Sequence, residues 1–284
     1  MTRNRLTIEV MHRLPKLRLL IVTAAISVTL TVLVVVPAQA ITNGQPDGNG
    51  HPNVGVMVVE FGSSGPSRLC SGELIAPTKF LTAAHCLAFL VGNTFAHLDG
   101  VTFDSTYDIS TSTVIPMASF TVDPLFGKDV GDLHDLGVIT LASTASATPV
   151  VLPTAGLLDQ LAAQGGLRGR DFTNVGYGAT GWASGGGQPT LIDFDTAVRR
   201  VSTSPFMALA PNVLKLQGNM NVTGEGGTCV GDSGSARYLN VAGTDVAVAS
   251  VSLHSDQRCI ANDSNYRLDT PSARAFLGQF VTLP

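Results

Sequence analysis

The chain has 284 residues, of which 44% are hydrophobic and only 13% are charged, with 17 Lys and Arg against 21 Asp and Glu. The formal net charge of −4 argues against the basic face that nucleic acids require, so we expect no nucleic-acid partner.

Residues 1–40 have the organisation of an export signal. Five basic residues precede an apolar stretch of eighteen residues at 19–36, and Ala-Gln-Ala40 then provides a small-x-small cleavage site. An uncleaved membrane anchor is the alternative, because eighteen apolar residues are just long enough to span a bilayer. We expect cleavage after Ala40, secretion and no membrane association afterwards. The remaining 244 residues then carry twelve basic and twenty acidic side chains, a net charge of −8.

Short β-rich segments separated by turn residues follow from Val54 onward, which predicts an all-β fold. A single helix is predicted, at 271–281, because Pro271 suits a first turn and Ala275, Phe276 and Phe280 recur at helical spacing. The clearest strand predictions are 55–61, 69–75, 136–141, 172–176 and 246–252.

A proline-containing segment at 149–156 suits an extended connector between two β domains better than a central strand, since neither Pro149 nor Pro153 can donate to a sheet. We place the domain boundary near residue 155. The predicted domains are therefore 41–155 and 156–270, followed by a helical segment at 271–284.

Four cysteines remain after the signal, and secretion implies an oxidising compartment, so two disulfides are expected. The sequence permits three pairings. Pairing Cys70 with Cys86 and Cys229 with Cys259 closes two short loops, one in each half. Neither pair has the Cys-x-x-Cys spacing of a structural zinc site, and we expect no metal and no other cofactor.

Three motifs contain the residue types of nucleophilic catalysis: Thr-Ala-Ala-His85-Cys, His-Asp135-Leu-Gly-Val-Ile and Gly-Asp-Ser233-Gly. A serine hydroxyl is a weak nucleophile at neutral pH, so it needs an adjacent base, and the base needs a carboxylate that fixes its tautomer. Asp132 is an alternative carboxylate, but only Asp135 is followed directly by an apolar run.

With these motifs in the order His, Asp, Ser, the chain resembles the trypsin/chymotrypsin family of serine proteases, of the secreted bacterial type, over residues 41–284. The resemblance implies two packed antiparallel six-stranded β-barrels with a short C-terminal helix. It also implies a monomeric endopeptidase that hydrolyses peptide bonds through an acyl-enzyme. Its expected partners are protein or peptide substrates and protein inhibitors.

The resemblance assigns roles to the residues around the nucleophile. The backbone N–H groups of Gly231 and Ser233 are expected to form an oxyanion hole. In this family the new amino terminus pairs with the aspartate before the nucleophile, which here implies Ile41 and Asp232. The signal cleavage site lies directly before Ile41, so we expect no separate propeptide.

The resemblance also implies a substrate pocket with Gly227 at its base, Thr228 in its wall, and Ser252 and His254 in the strand that binds the substrate backbone. Trypsin-like enzymes have an aspartate at the base, so the expected specificity is non-tryptic. His254 has three interpretations: its bulk favours a small or apolar side chain, its charge favours glutamate, or it points into solvent.

Two other functions are compatible with parts of this pattern. A catalytically inactive homologue would act as a secreted binding protein, but such relatives usually lose at least one of the active-site residues that are all present here. An esterase or lipase would use the order Ser, Asp, His, and Ser235 breaks the Gly-x-Ser-x-Gly motif of that class.

Overall fold

The computed structural model describes residues 41–108, 110–183, 190–192, 197–254 and 258–284, all within one compact unit that spans 38–284. The predicted signal at 1–40 lies outside the described residues, as does the side chain of His254. Within the described ranges, no helix has both the length and the apolar character needed to cross a membrane.

The fold consists mainly of short β-strands. In the first half these are β1 (Gln45–Pro46), β2 (Val54–Phe61), β3 (Pro66–Ala76), β4 (Lys79–Thr82), β5 (Ala96–Thr102), β6 (Val114–Val122) and β7 (Gly137–Leu141). In the second half they are β8 (Asp171–Gly176), β9 (Gly181–Ala183), β10 (Thr190–Ile192), β11 (Arg200–Leu209), β12 (Val213–Gln217), β13 (Ala236–Val241), β14 (Thr244–His254) and β15 (Asn262–Arg267). The helices are α1 (Ala84–Gly92), α2 (Leu157–Ala163), α3 (Met220–Thr223) and α4 (Pro271–Leu277).

The strands close into two antiparallel barrels of six strands each. The first barrel has the order β2-β3-β4-β7-β6-β5. The second has the order β11-β12-β15-β14-β13-β8, and the pairing of β11 with β8 closes it. The predicted all-β fold of two six-stranded barrels is therefore confirmed.

Strand β2 contributes side chains to two separate hydrophobic clusters. Successive side chains of a strand point to opposite faces, so an apolar run can serve two cores. Val54 and Val56 belong to a cluster that also contains residues of the second barrel, whereas Met57 and Val59 belong to the interior of the first barrel. All four side chains are fully buried.

The helix prediction was correct at its start and wrong in its extent. Thr270 caps α4 by accepting from the Ala273 N–H, and Pro271 occupies the first turn, but the helix ends at Leu277 instead of residue 281. The prediction of a single helix was also wrong. Helix α1 is short and apolar on most sides, so it has no helical periodicity to read.

The two ends of the described chain each contact the opposite half of the molecule. Strand β1 pairs with β11 of the second barrel, with Gln45 opposite Val201. At the other end, the Ser272 hydroxyl in α4 donates to Asp132 Oδ2 at 2.6 Å. The domain bounds 41–155 and 156–270 stay predictions, and β1 lies with the second barrel.

Both expected disulfides form. Cys70 pairs with Cys86 and Cys229 with Cys259, with Cα–Cα distances of 6.4 and 5.0 Å. The first connects β3 to the first turn of α1, and the second connects the segment before Ser233 to the segment after β14. The first bond therefore ties a motif residue to a strand of its own barrel, and the second ties one to the segment between β14 and β15.

Glu73 on β3 is a fully buried carboxyl group, and no ion-pair partner for it lies within the ranges that the structure describes. Its exposure is 0%, and neither carboxylate oxygen has a hydrogen-bond partner among the described residues. Burial raises the pKa of Glu73 well above its usual value of 4.5. The folded protein therefore retains this proton to a higher pH than the unfolded chain does.

We predict that Glu73→Gln stabilises the protein at neutral pH. Because the folded-state pKa is raised, wild-type stability falls as pH rises above 4.5, the usual value, toward the raised pKa. The variant removes this loss, so its free energy of unfolding at pH 8 should exceed that of wild type by about 1–3 kcal/mol. The difference should shrink at pH 4.

Urea denaturation at the two pH values measures this effect. Glu60→Gln is the matched control, because Glu60 is a partly exposed residue on the neighbouring strand β2. A pH-independent effect of Glu73→Gln, or an equal effect of Glu60→Gln, would contradict the prediction.

Candidate active site

His85 and Asp135 form a direct pair within the first barrel. His85 is the second residue of α1, and Asp135 comes two residues before β7. His85 Nδ1 lies 2.9 Å from Asp135 Oδ2, and the His85 backbone N–H donates to Asp135 Oδ1 at 2.9 Å. A carboxylate at this position favours the tautomer with the proton on Nδ1, which leaves Nε2 as a base. The imidazole is 35% exposed, so a substrate can approach it.

Asp135 is also held from the second barrel. The Ser252 hydroxyl on β14 donates to Asp135 Oδ2 at 2.5 Å, and the carboxylate is only 3% exposed. The sequence assigned Ser252 to a substrate-binding strand and missed this contact. Asp132, the alternative carboxylate, lies elsewhere and accepts from Ser272. The structure therefore brings Asp135, and not Asp132, to His85.

The turn that contains Ser233 is held against the first barrel. Ser71 Oγ on β3 donates to the Gly231 carbonyl at 2.8 Å, and the Gly234 N–H donates to the Val251 carbonyl at 2.8 Å. A Cβ on Gly234 would lie 2.3 Å from Thr82 Oγ1 and 2.5 Å from the Ala83 backbone N. Thr82 and Ala83 directly precede α1, so the turn and His85 belong to the same junction between the barrels.

Glycines 231 and 234 are required by the backbone of this turn. Their φ values are +99° and +84°, a region that residues with a Cβ rarely adopt. Ser233 between them is partly exposed, while Gly231 and Asp232 are buried. The turn therefore presents the serine while its neighbours stay in the interior.

Asp232 is a fully buried carboxylate that accepts two backbone hydrogen bonds. The N–H of Gly178 donates to Oδ1 at 2.8 Å, and that of Cys229 donates to Oδ2 at 2.9 Å. Ile41 is also 0% exposed. The next residue, Thr42, accepts from the Gly227 N–H at 2.8 Å, five residues before Asp232. The segment that begins at Ile41 thus lies beside the strand-like segment that leads to the Ser233 turn.

The residues predicted to form a pocket adjoin a carboxylate that the sequence analysis missed. Thr228 donates to Asp263 Oδ2 from its backbone N at 3.0 Å and from Oγ1 at 2.8 Å. Gly227 lies against Gly218, since a Cβ at Gly227 would be 2.6 Å from Gly218 Cα. His254 on β14 stands opposite Asp263 on β15.

Asp263 in turn forms an ion pair with Arg237, another residue that the sequence analysis did not single out. Arg237 Nη2 lies 3.0 Å from Asp263 Oδ2, with the side chains 0% and 2% exposed. The sequence of β15 contained a signal for buried polar groups, although not for the identity of their partner. Asp263, Asn265 and Arg267 alternate on its buried side, where apolar residues are normally found.

A metal-ligand geometry occurs once within the described ranges, at Cys70, His85 and Cys86. Both cysteines of this group are already joined in a disulfide, so they are not available as thiolate ligands.

Comparisons of this chain with known proteins found a matching family model and similar proteins. The family model described as Trypsin matches residues 46–262. A trypsin of Saccharopolyspora erythraea is 29% identical over 198 residues, which cover 67% of this chain and 77% of that protein. An ovochymase of Halocynthia roretzi is 31% identical over 85 residues, which cover 30% of this chain but 5% of that much longer protein.

Among solved structures, HL collagenase superposes with a TM-score of 0.61 and 16% sequence identity. The match covers 84% of this chain and 97% of that chain. At this identity the likeness shows a shared fold and no more.

We predict that Gly234→Ala destabilises the protein through two separable effects. The left-handed backbone conformation costs about 1–2 kcal/mol for a residue with a Cβ. The new methyl group would also overlap Thr82 and Ala83, where Gly234 now makes close contact. Gly243→Ala is the matched control, because Gly243 has φ +87° with nothing within 4 Å of an added Cβ.

Thermal unfolding of both variants separates the two effects. Gly243→Ala should pay only the conformational cost, and Gly234→Ala should lose at least about 2 kcal/mol more. Equal losses would mean that the Ser233 turn is not held against the first barrel.

Proposed function

The chain belongs to the trypsin family of serine proteases, and on that premise we propose that it is a secreted endopeptidase that uses His85, Asp135 and Ser233. The observation that supports this most directly is the 2.9 Å contact between His85 Nδ1 and the buried Asp135 carboxylate. The packing of the Ser233 turn on Thr82 and Ala83, beside His85, supports the same assignment.

The proposed reaction has two stages. His85 Nε2 takes the proton of Ser233 Oγ as the oxygen attacks the substrate carbonyl carbon. The backbone N–H groups of Gly231 and Ser233 stabilise the negative charge that develops on the carbonyl oxygen. The protonated imidazole then gives its proton to the leaving amine, and an acyl ester remains on Ser233. Water cleaves this ester in the second stage, with His85 again acting as the base.

We further propose a non-tryptic primary specificity. The pocket base six residues before Ser233 is Gly227, which offers no carboxylate of its own to a basic side chain. The expected substrates are proteins and peptides, cleaved after small or apolar residues or after glutamate. Thr228 and the strand that contains Ser252 and His254 are the proposed walls of the pocket.

Activation is proposed to follow directly from export. Cleavage before Ile41 releases an α-ammonium group, and Asp232 is a fully buried carboxylate for which a cation is the favourable partner. Ile41 is itself fully buried, so the new end of the chain would begin in the interior of the protein.

We predict that Ser233→Ala lowers kcat on a casein-derived peptide by about 10⁴-fold or more, because the nucleophile is lost. A fluorophosphonate probe should label wild type and leave Ser233→Ala unmodified. Ser235→Ala, two residues along the same turn, is the control and should retain labelling. A folded wild-type protein that neither reacts with the probe nor cleaves casein would instead be a binding homologue.

We predict that the active secreted protein begins at Ile41. N-terminal sequencing of the active fraction identifies the cleavage site. An alanine inserted between Ala40 and Ile41 shifts the new α-ammonium group one residue away from Ile41, provided that cleavage still occurs after Ala40. That insertion should lower kcat/KM by at least about tenfold, because the buried Asp232 loses its cation. An active enzyme that retains residues before Ile41 would contradict this activation mechanism.

A further inference from the structure

We infer that the buried ion pair of Arg237 and Asp263 forms an electroneutral floor beneath the proposed substrate pocket, so that the enzyme accepts uncharged side chains and rejects both basic and acidic ones. The pocket floor is defined here as Thr228, Arg237 and Asp263. This inference rests on the proposed function and specifies its substrate class.

The position of Asp263 supports this assignment, because two of the residues predicted to form the pocket lie next to it and a third, Gly227, is separated from it by Gly218. Thr228 makes two hydrogen bonds to its carboxylate, at 3.0 and 2.8 Å. His254 is its cross-strand partner in the sheet. Gly227 contacts Gly218, and a Cβ on Gly218 would lie 3.2 Å from Asp263 Oδ1. A carboxylate therefore stands behind a pocket base whose own residue is glycine.

The charge of that carboxylate is balanced from within the protein. Arg237 Nη2 donates to Asp263 Oδ2 at 3.0 Å and to Thr228 Oγ1 at 2.8 Å. The same guanidinium donates from Nε to Asn265 Oδ1 at 2.7 Å and from Nη1 to Asn174 Oδ1 at 2.8 Å. Arginine stays protonated in proteins, so the pair remains a cation next to an anion.

This charge balance disfavours both kinds of charged substrate side chain, for opposite reasons. A lysine or arginine side chain would have to compete with Arg237 for Asp263, and success would leave the buried guanidinium without its counter-ion. A glutamate would have to compete with Asp263 for Arg237, which would leave a buried carboxylate unpaired. Breaking a buried pair in this way is strongly unfavourable. Uncharged side chains disturb neither partner.

The test is the primary specificity of four proteins, measured with peptides that differ only at the residue before the cleaved bond. Wild type should cleave after alanine or leucine at least about tenfold faster, in kcat/KM, than after lysine, arginine or glutamate. Arg237→Met should raise the ratio of lysine to leucine cleavage by about tenfold or more, because Asp263 then lacks the guanidinium as its counter-ion. Asp263→Asn should raise the ratio of glutamate to leucine cleavage for the opposite reason.

The double variant Arg237→Met with Asp263→Asn should return both ratios toward those of wild type. Arg199→Met is the matched control. Arg199 forms an equally buried pair with Asp47, with Nε 2.8 Å from Oδ2 and both side chains 1% exposed. Its other hydrogen bonds go to the carbonyls of Gly48, Val54 and Phe103 and to the Tyr177 hydroxyl, outside the pocket floor. Its loss should destabilise the protein without changing either ratio by more than about twofold.

Ratios of kcat/KM within one preparation do not depend on the fraction of protein that folds, so partial misfolding of a variant does not affect the result. If Arg237→Met yields no active enzyme, wild type and Asp263→Asn still test the inference. Wild-type cleavage after arginine or glutamate as fast as after leucine would overturn it, as would unchanged ratios in both single variants. A wild-type protein that cleaves no peptide and does not react with a fluorophosphonate would instead refute the proposed function, and the inference with it.

Discussion

The hydrogen bond from Ser252 Oγ to Asp135 Oδ2 joins the two barrels at the centre of the candidate site. Asp135 is only 3% exposed, and burying a carboxylate costs free energy unless hydrogen-bond donors surround it. His85 provides two donors from the first barrel, and Ser252 provides one from the second. The orientation of His85 is therefore set by both barrels together, and neither barrel alone contains the complete arrangement.

The buried ionisable side chains of this protein are accommodated either by an ion pair or by a shifted pKa. Arg199, Arg237 and Arg267 are all fully buried, and each is paired with an aspartate at 2.7–3.0 Å. Arginine suits this role because its planar group forms several hydrogen bonds in a fixed geometry. Glu73 has no such partner among the described residues, and burial raises its pKa. The first arrangement fixes positions in the fold, and the second makes stability depend on pH.

Motifs with strong local constraints were predictable from the sequence. The pairing of Asp135 with His85 followed from the apolar strand behind Asp135, and the disulfides followed from the short loops that they close. Alternating strands also gave the all-β fold. The end of α4 was predicted too late because the spacing of Ala275, Phe276 and Phe280 was followed past Gly278, although a glycine directly after Leu277 is itself a common helix stop signal.

Contacts between distant segments could not be read in the same way. Asp263 and Arg237 are separated by 26 residues, and their pairing follows from the register of β13, β14 and β15. Ser252 and Asp135 are separated by 117 residues and meet because two barrels pack together. Such pairs depend on tertiary geometry, and a local pattern contains no information about their partners.

The contacts that the two chain ends make with the opposite barrels affect what a cut in the chain can separate. Strand β1 pairs with β11 of the second barrel, and α4 donates a hydrogen bond to Asp132 in a loop of the first barrel. Each half of the molecule is therefore contacted by the terminal segment of the other half. A nick in the connector near residue 155 would therefore leave the two fragments held together through both contacts, so proteolysis at this place would not by itself separate the barrels.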